Sequence, residues 1–427
     1  MNEGILLLVL FFVLLFLKVP IGISMLGASI LAVFAFDLGP MTLVSGPLFN
    51  ALFSYTILAM PFYIFAGNLM TRGGIAKKLC DMVGTIFSRF TGGLGMVTVV
   101  ASAFFAAISG SASATTASIG GMMVPEMKKQ GYKEEFGLAI AAAGGVIGPI
   151  IPPSVIFVIY GVATNTSVGD LFVAGILPGI LLAAILCVTV YLLSKRAGLK
   201  LQAEKFSIFA FLKSVWTAKY AILMPIIILG GIYGGVFTPT EAGAVACVYA
   251  IIIALFVEKT FTVKELFHCA CDSAIASAAL MIVCAAATAF GRVMTIMEVP
   301  QMLTDAIMSI STSKAMVLIL INLMLFLIGC VMESGAAIII LAPLLVPIVA
   351  AYNIDPIHFG VMLCVNTSIG AITPPVGTCL FAASIIGGTS YEKICKAIIP
   401  FVLAEVICLV IITVFPPLST CLLGILG

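Results

Sequence analysis

Charge is the scarcest thing in this chain. Asp, Glu, Lys and Arg together make up 9% of its 427 residues, where soluble domains carry about 25%. So little charge cannot cover a water-facing surface. The formal net charge is +2, which gives nucleic acid no electrostatic footprint. Histidine occurs only at His268 and His358, too far apart for a His-Glu-x-x-His metal site. No P-loop occurs, so the chain does not hydrolyse ATP by itself. No paired acid, base or metal constellation falls within the apolar runs, which argues against a membrane enzyme and against any cofactor. The twelve cysteines show no metal-ligand spacing. Cys187, Cys247, Cys284 and Cys408 lie inside apolar runs, and Cys269-Ala-Cys271 alone is weak. They read as apolar filler.

What the chain has in abundance is apolar sequence, 62% of all positions, with a mean hydropathy of +1.28. Its length holds roughly ten spans of about 20 residues with their connections, so the expected fold is an all-α polytopic membrane protein. The first apolar run starts near Ile5 without a small-residue cleavage site and reads as a retained span, not a signal peptide. Lys18-Val19-Pro20 separates Ile5–Leu17 from Ile21–Phe36, and a third span runs from about Ala51 to Met70. A basic amphipathic stretch with Arg72, Lys77, Lys78 and Arg89 follows.

Next comes Gly93–Val124, an apolar segment interrupted by Ser109-Gly110-Ser111-Ala112-Ser113-Ala114-Thr115-Thr116. Lys128, Lys129 and Lys133 lie just beyond it. A full crossing would put its two basic flanks on opposite sides, against the positive-inside rule. A re-entrant hairpin keeps both flanks in the cytoplasm and brings its small polar tip near the midplane. Irregular backbone survives there only inside protein or against a watery cavity, so the tip is a candidate site.

Phe136–Tyr160 then crosses outward and Leu171–Leu193 returns. Lys195–Lys219 is the main cytoplasmic loop, with Lys195, Arg196, Lys200, Lys205, Lys213 and Lys219 against Glu204 alone. Tyr220–Phe237 and Ala242–Val257 form a pair joined by Thr238-Pro239-Thr240-Glu241, and Lys259 and Lys264 mark the cytoplasm again. Ser273–Met297 crosses outward to a stretch with Glu298 and Asp305. Ala315–Ala350 is a second hairpin, broken at Gly329–Gly335; its flanks are poor in Lys and Arg, so it opens outside. Phe359–Ile385 crosses inward to Lys393 and Lys396, and Ala397–Phe415 crosses out. Residues 1–213 and 214–427 thus each hold five crossings, one re-entrant hairpin (about 93–124 and 315–350) and one broken helix (about 136–160 and 359–385). An odd number of crossings inverts the second repeat, as in many secondary transporters. Both termini are expected outside.

A repeat is also visible directly. A shift of 222 positions lays Ile147-Gly148-Pro149-Ile150-Ile151-Pro152-Pro153 onto Ile369-Gly370-Ala371-Ile372-Thr373-Pro374-Pro375. The same shift pairs Pro125 with Pro347, Pro178 with Pro400 and Leu181 with Leu403, and a shift of 219 pairs Pro20 with Pro239. Several matches in order outweigh the general frequency of proline in membrane helices.

Pro-Pro inside an apolar helix removes two backbone donors and leaves preceding carbonyls unpaired. With Gly148 and Gly370 just before, each repeat is expected to contain a broken helix. Freed carbonyls suit a bare cation, while half-helix N-termini favour anions; the plainer reading is a packing kink. The first tip offers Ser109, Ser111, Ser113, Thr115 and Thr116, neutral oxygens that replace the hydration shell of a hard monovalent cation. Small residues also serve close helix packing. The second tip has Glu333-Ser334-Gly335, and a carboxylate at membrane depth marks a functional site by default. The 222-residue shift sets Glu333 opposite Ser111. Asn366, Thr367, Ser368, Thr373 and Thr378 add polar groups around the second break. Glu405 and Arg292 lie within or near helices, where pairing, lining a pathway and snorkelling to an interface all remain open.

Four stretches carry a family resemblance: Pro61–Lys78 (PFYIFAGNLMTRGGIAKK), Ser109–Thr116, Gly148–Ser154 (GPIIPPS) and Asn366–Thr378 (NTSIGAITPPVGT). Over nearly its whole length the chain resembles the large membrane (M) subunit of a tripartite ATP-independent periplasmic transporter. The resemblance implies an elevator-type carrier in the bacterial inner membrane, with sodium as coupling ion and both termini periplasmic. It also implies a small four-helix membrane subunit, not fused to this chain, and a periplasmic binding protein that delivers an organic anion. Membrane lipid is the remaining partner; nucleic acid is not one. Sialic acid is the first expected substrate and a C4-dicarboxylate the second, in an order that no residue here supports. Sodium is expected at Ser109, Ser111 and Ser113 with carbonyls near Gly148, and at Gly335, Asn366 and Thr373. Substrate is expected against Pro152, Ser154, Glu333, Ser334, Pro374 and Thr378. Many family members carry aspartate where this chain has Glu333. A self-sufficient sodium–carboxylate symporter and a channel are the alternatives from other classes.

Overall fold

The computed structural model describes residues 3–199, 207–310 and 313–426. Lys200, Glu204, Lys205 and the extreme termini lie outside the described residues. Every regular element among the described residues is helical. Six helices are each long and apolar enough to cross a membrane, or up to eight if bent pairs are counted as single spans.

The chain begins with α1 (Glu3–Phe16), α2 (Ile21–Ala35) and α3 (Thr42–Leu52). A single 3₁₀ turn, Tyr55–Leu58, leads into α4 (Ala59–Arg72), and the bend from α3 through α4 is 47°. The third span therefore starts earlier than hydropathy indicates and is not straight. The amphipathic α5 (Ile75–Phe87) buries Ile75, Leu79, Met82 and Val83 and exposes Lys77.

Two helix pairs follow the expected interruptions. α6 (Gly93–Ser109) and α7 (Ala112–Lys129) are joined at Gly110 and Ser111, where Gly110 takes a left-handed φ of 59°. α8 (Glu134–Val146) and α9 (Val155–Thr164) are separated by the Gly148–Ser154 segment. The long α10 (Val168–Arg196) then leads to α11 (Ile208–Tyr233). Most of the expected Lys195–Lys219 loop is thus helix: Lys195 and Arg196 end α10, while Lys213 and Lys219 lie on α11. Basic residues report the side of the membrane, not the absence of helix, and the Lys219 ammonium rests 3.6 Å from the centre of the Trp216 ring.

α12 (Pro239–Ile252) and α13 (Val263–Ile296) both open with a capping box, Thr238 with Glu241 and Thr262 with Glu265. Each box satisfies two orphan amides. The 34 residues of α13 span about 51 Å, beyond an apolar layer of about 30 Å. Its first ten residues carry Lys264, Glu265, His268 and Asp272, so hydropathy marks only its inner part. After α14 (Val299–Ile310) come α15 (Lys314–Gly329) and α16 (Ser334–Ala351), then α17 (Pro356–Gly370) and α18 (Thr378–Gly387). α16 and α17 begin 222 residues after α7 and α8. α19 (Tyr391–Val414) precedes two single turns, α20 (Pro417–Thr420) and α21 (Leu423–Leu426).

Packing sorts these helices into two groups. α13 lies against α2, α3 and α4, and α12 against α4 and α11. The other group centres on α8 and α17: α6, α7, α18 and α19 surround α8, while α15, α16 and α19 surround α17. Arg72 on α4 pairs with Asp272 on α13 at 2.9 Å, and Lys78 on α5 pairs with Glu258 after α12. The first ion pair lies within the first group, and the second ties to it α5, which packs against both α6 and α11.

Candidate functional site

Both hairpin tips and both helix breaks meet at one cavity of about 320 Å³ between the two helix groups. Ser109, Ser111, Ser113, Glu333, Ser334, Gly335 and Thr378 line it, so seven of the residues singled out in the sequence come together. The facing wall comes from Ile64, Gly67, Asn68 and Thr71 of α4 and from Ala276 and Leu280 of α13. Those six sequence reasoning missed. Asn68 is the one with a signal, an amide inside an apolar run; its Nδ2 donates to Ser273 Oγ at 2.8 Å.

The remaining candidates stand behind this lining. Gly148 packs beneath the first tip, where a Cβ would fall 2.8 Å from the Ser111 carbonyl oxygen. Ser154 Oγ donates to the Pro149 carbonyl and accepts from Phe157 N at 3.3 Å, capping α9. Asn366 is fully buried and donates through Nδ2 to Asn322 O at 2.9 Å and to Asn322 Oδ1 at 2.8 Å. Its own Oδ1 is buried without a hydrogen-bond partner. Thr373 Oγ1 donates to Ile369 O at 2.9 Å. Pro152 is buried and Pro374 exposed, and neither lines the cavity. Each of these prolines begins a cis Pro-Pro bond.

The tips are built from short contacts. Ser109 Oγ and Thr115 Oγ1 lie 2.7 Å apart, tying the end of α6 to the first turn of α7. Ser111 Oγ lies 3.5 Å from both Ser113 Oγ and Ala114 N, at the limit of a useful cap. In the second tip Glu333 takes the N-cap position of α16, with Oε2 accepting from Ala336 N at 3.3 Å. Ser334 Oγ donates to Thr367 O at 3.0 Å and Val376 N donates to Cys330 O at 3.2 Å, fastening the tip to α17 and to the second break.

Four helices start at this cavity. Ala112, Val155, Ser334 and Thr378 are the first residues of α7, α9, α16 and α18, and all four line it. A helix N-terminus carries roughly half a positive charge and unpaired amides, so four of them together favour negative charge in the cavity. Ser111, Ser154 and Glu333 cap three of the four through side chains, whereas Gly377 caps α18 with no side-chain hydrogen bond. Glu333 is the single charged residue in the lining. The ends of α6, α8, α15 and α17 supply carbonyl-bearing C-termini to the same tips and breaks, the complementary arrangement for cations.

A larger cavity of about 730 Å³ lies among α3, the α9–α10 turn and the start of α12, with no charged residue in its wall. The two helix starts there, α10 and α12, are already capped by Ser167 and Thr238 and carry Asp170 and Glu241 in their first turns. The smaller cavity is the one with the chemistry.

Residues 8–418 match the family described as "Tripartite ATP-independent periplasmic transporter, DctM component". The chain is 40% identical over 399 residues to the isethionate TRAP transporter permease protein DctMQ of Oleidesulfovibrio alaskensis, covering 93% of this chain and 63% of that protein. It is 39% identical to the C4-dicarboxylate TRAP transporter large permease protein DctM of Pseudomonas aeruginosa, covering 89% of both. It is 35% identical to the sialic acid TRAP transporter large permease protein SiaM of Vibrio cholerae, covering 94% of both. Among solved structures it resembles the YdaH transporter of Alcanivorax borkumensis in fold, with a TM-score of 0.63, 17% identity and 89% of both chains covered.

Proposed function

Because this chain belongs to the DctM component family of tripartite ATP-independent periplasmic transporters, we propose that it is the membrane permease of a sodium-driven importer of an organic anion. The observation that carries this reading is the convergence of four helix N-termini on one cavity whose lining holds a single charge. Anionic groups gain from that field, and substrate lies against Ser334, Thr378 and Glu333, with Ser154, Pro152 and Pro374 shaping the walls behind. The relatives named above share the substrate class and not the substrate: isethionate is a sulfonate, and the others take carboxylates. Identity is no higher to the sialic acid permease than to the other two, so it favours neither the sialic acid nor the dicarboxylate expectation.

Sodium occupies two sites in this reading. Ser109, Ser111 and Ser113 with the carbonyls at Gly148 hold the first. Gly335, Asn366 and Thr373 hold the second, and the unpartnered Asn366 Oδ1 supports that choice. Residues 1–213 and 214–427 form inverted repeats in the inner membrane, with both termini periplasmic and both hairpins re-entrant. The α6–α10 and α15–α19 group is the moving body of an elevator. The group with α2, α11 and α12 is the static scaffold; α2 shows Ile23 and Phe34 outward, more than half exposed, to lipid or to a small four-helix subunit. A periplasmic binding protein delivers the anion.

The test is reconstitution of the chain with its small subunit in proteoliposomes. Uptake of isethionate, a C4-dicarboxylate and sialic acid is measured with and without candidate binding proteins and an inward sodium gradient. Uptake that needs both additions supports the proposal. Full uptake by this chain alone assigns a self-sufficient symporter, and conductance without stoichiometric sodium assigns a channel.

A further inference from the structure

α15 and α19 both pack on α17 and scarcely on each other, which leaves a groove of about 840 Å³ between them. Its walls are hydrocarbon. Ile319 and Leu323 of α15 line it with Val410 and Val414 of α19, and all four are more than half exposed. The polar side chains within the walls are satisfied inside the protein. Asn322 donates through Nδ2 to Leu318 O at 2.9 Å and accepts through Oδ1 from Asn366 at 2.8 Å. Thr413 Oγ1 donates to Leu409 O at 2.8 Å.

The two ends of the groove differ. Lys314, the first residue of α15, lines one end with Pro416, and Phe326 and Val406 line the other. Lys314 Nζ donates to Asn353 O at 3.2 Å, and His358 Nδ1 lies 3.3 Å from Ser419 Oγ. The start of α15 and the end of α19 therefore lie together beside the start of α17. From Lys314 to Phe326 α15 rises about 18 Å, close to the roughly 15 Å of one leaflet's hydrocarbon. A membrane-spanning helix of a partner needs both leaflets, and this groove runs out after one.

Charge selects among lipids. Lys314 is the single charged residue in the lining and makes no ion pair among the described residues. Asp355 Oδ1 accepts from the amides of Ile357 and His358 at 2.7 and 3.1 Å, where the start of α17 offsets its charge. The dipoles at the start of α15 and the end of α19 oppose each other, so the Lys314 ammonium sets the sign of this end. Of its three N–H donors, one is used on Asn353. We propose that the groove binds one anionic phospholipid, with an acyl chain along its walls and the headgroup phosphate on Lys314. A zwitterionic lipid also brings a phosphate, but with its own cation beside it, and so satisfies the lysine less. The site rests on the membrane placement that the family gives and not on the sodium or substrate reading.

Tryptophan fluorescence in vesicles tests this. Trp216→Phe removes the chain's single tryptophan, and Leu323→Trp then places a reporter in the groove. The full chain with a tryptophan-free small subunit is reconstituted in phosphatidylcholine, a rising fraction of which is replaced by brominated phosphatidylglycerol or brominated phosphatidylcholine. Half-quenching is expected at a several-fold lower fraction of the phosphatidylglycerol, and Lys314→Gln is expected to remove that difference. Ile180→Trp on α10, also more than half exposed, is expected to be quenched equally by both lipids. Val410→Trp on the opposite wall repeats the measurement should Leu323→Trp fail to fold. Equal quenching by the two lipids at the groove would make the occupant ordinary bilayer lipid and overturn the site. Absence of quenching by either would mean that protein covers the groove, and a preference that survives Lys314→Gln would remove the lysine from it; each overturns the proposal.

Discussion

Gly370 faces Gly329 so closely that a Cβ on Gly370 would fall 2.3 Å from the Gly329 carbonyl carbon. The second break and the second tip touch backbone to backbone here, as Gly148 touches Ser111 in the first half. A methyl group at Gly370 has no flexible side chain to displace. Gly370→Ala is expected to destabilise the protein by about 1–3 kcal/mol, the usual cost of overpacking, and to abolish uptake. Gly84 in α5 has open space around it, and Gly84→Ala is expected to leave melting temperature and uptake near wild type. Thermal unfolding in detergent and vesicle uptake check both. Equal behaviour of the two variants would refute the close-contact account.

The two ion pairs made by α4 and α5 differ in worth. Arg72 and Asp272 have side chains 51% and 57% exposed, so Arg72→Gln is expected to change stability by less than about 1 kcal/mol. Lys78 and Glu258 are 28% and 18% exposed. Glu258→Gln removes the charge from a largely desolvated pair and is expected to cost more than Arg72→Gln. Melting curves at low and high salt separate them, since only the exposed pair is well screened.

How much of this was legible before the fold is uneven for physical reasons. Small polar residues and paired prolines inside apolar runs announce broken helices, so Ser109–Thr116, Gly148–Ser154 and Asn366–Thr378 were readable as candidate sites. The opposite wall was not, because Ala276 and Leu280 look like any lipid-facing residue until α13 is packed against the tips. Glu405 was readable as an acid within or near a helix, with pairing, lining a pathway and snorkelling all open; the structure buries it fully, with neither carboxyl oxygen hydrogen-bonded. Its isolation was not, since the lack of a partner is a property of α8, α10, α17 and α18 together. The start of α11 at Ile208 was hidden by its lysines, and that of α13 by the charges in its first turns.

Topology gives a separate test. If α6 and α7 form a re-entrant hairpin, Lys77 and Lys128 lie on the same, cytoplasmic face and Asp355 on the other. Single cysteines at these three positions are expected to react accordingly with a membrane-impermeant maleimide applied from each side. Opposite sidedness of positions 77 and 128 would sink the hairpin assignment.

The proposed coupling ion is sodium, and the two tips give it a direct test. A proton carrier keeps titratable groups along its path, whereas the first tip offers only hydroxyls and carbonyls. Ser111→Ala removes a hydroxyl whose cap contact is 3.5 Å long, so little folding energy goes with it. The expected result is a several-fold higher sodium concentration for half-maximal uptake, with a melting temperature close to wild type. Glu333 is the exception in the cavity, a carboxylate that also caps α16. Glu333→Gln keeps an oxygen for Ala336 N and removes the charge, while Glu333→Ala removes both. If the charge anchors a cation, Gln and Ala weaken sodium dependence equally; if the cap holds the tip, Gln retains function and Ala does not. Uptake against sodium concentration at several fixed pH values distinguishes these outcomes. Full uptake driven by a pH gradient in sodium-free buffer would make Glu333 the proton carrier and end the sodium assignment.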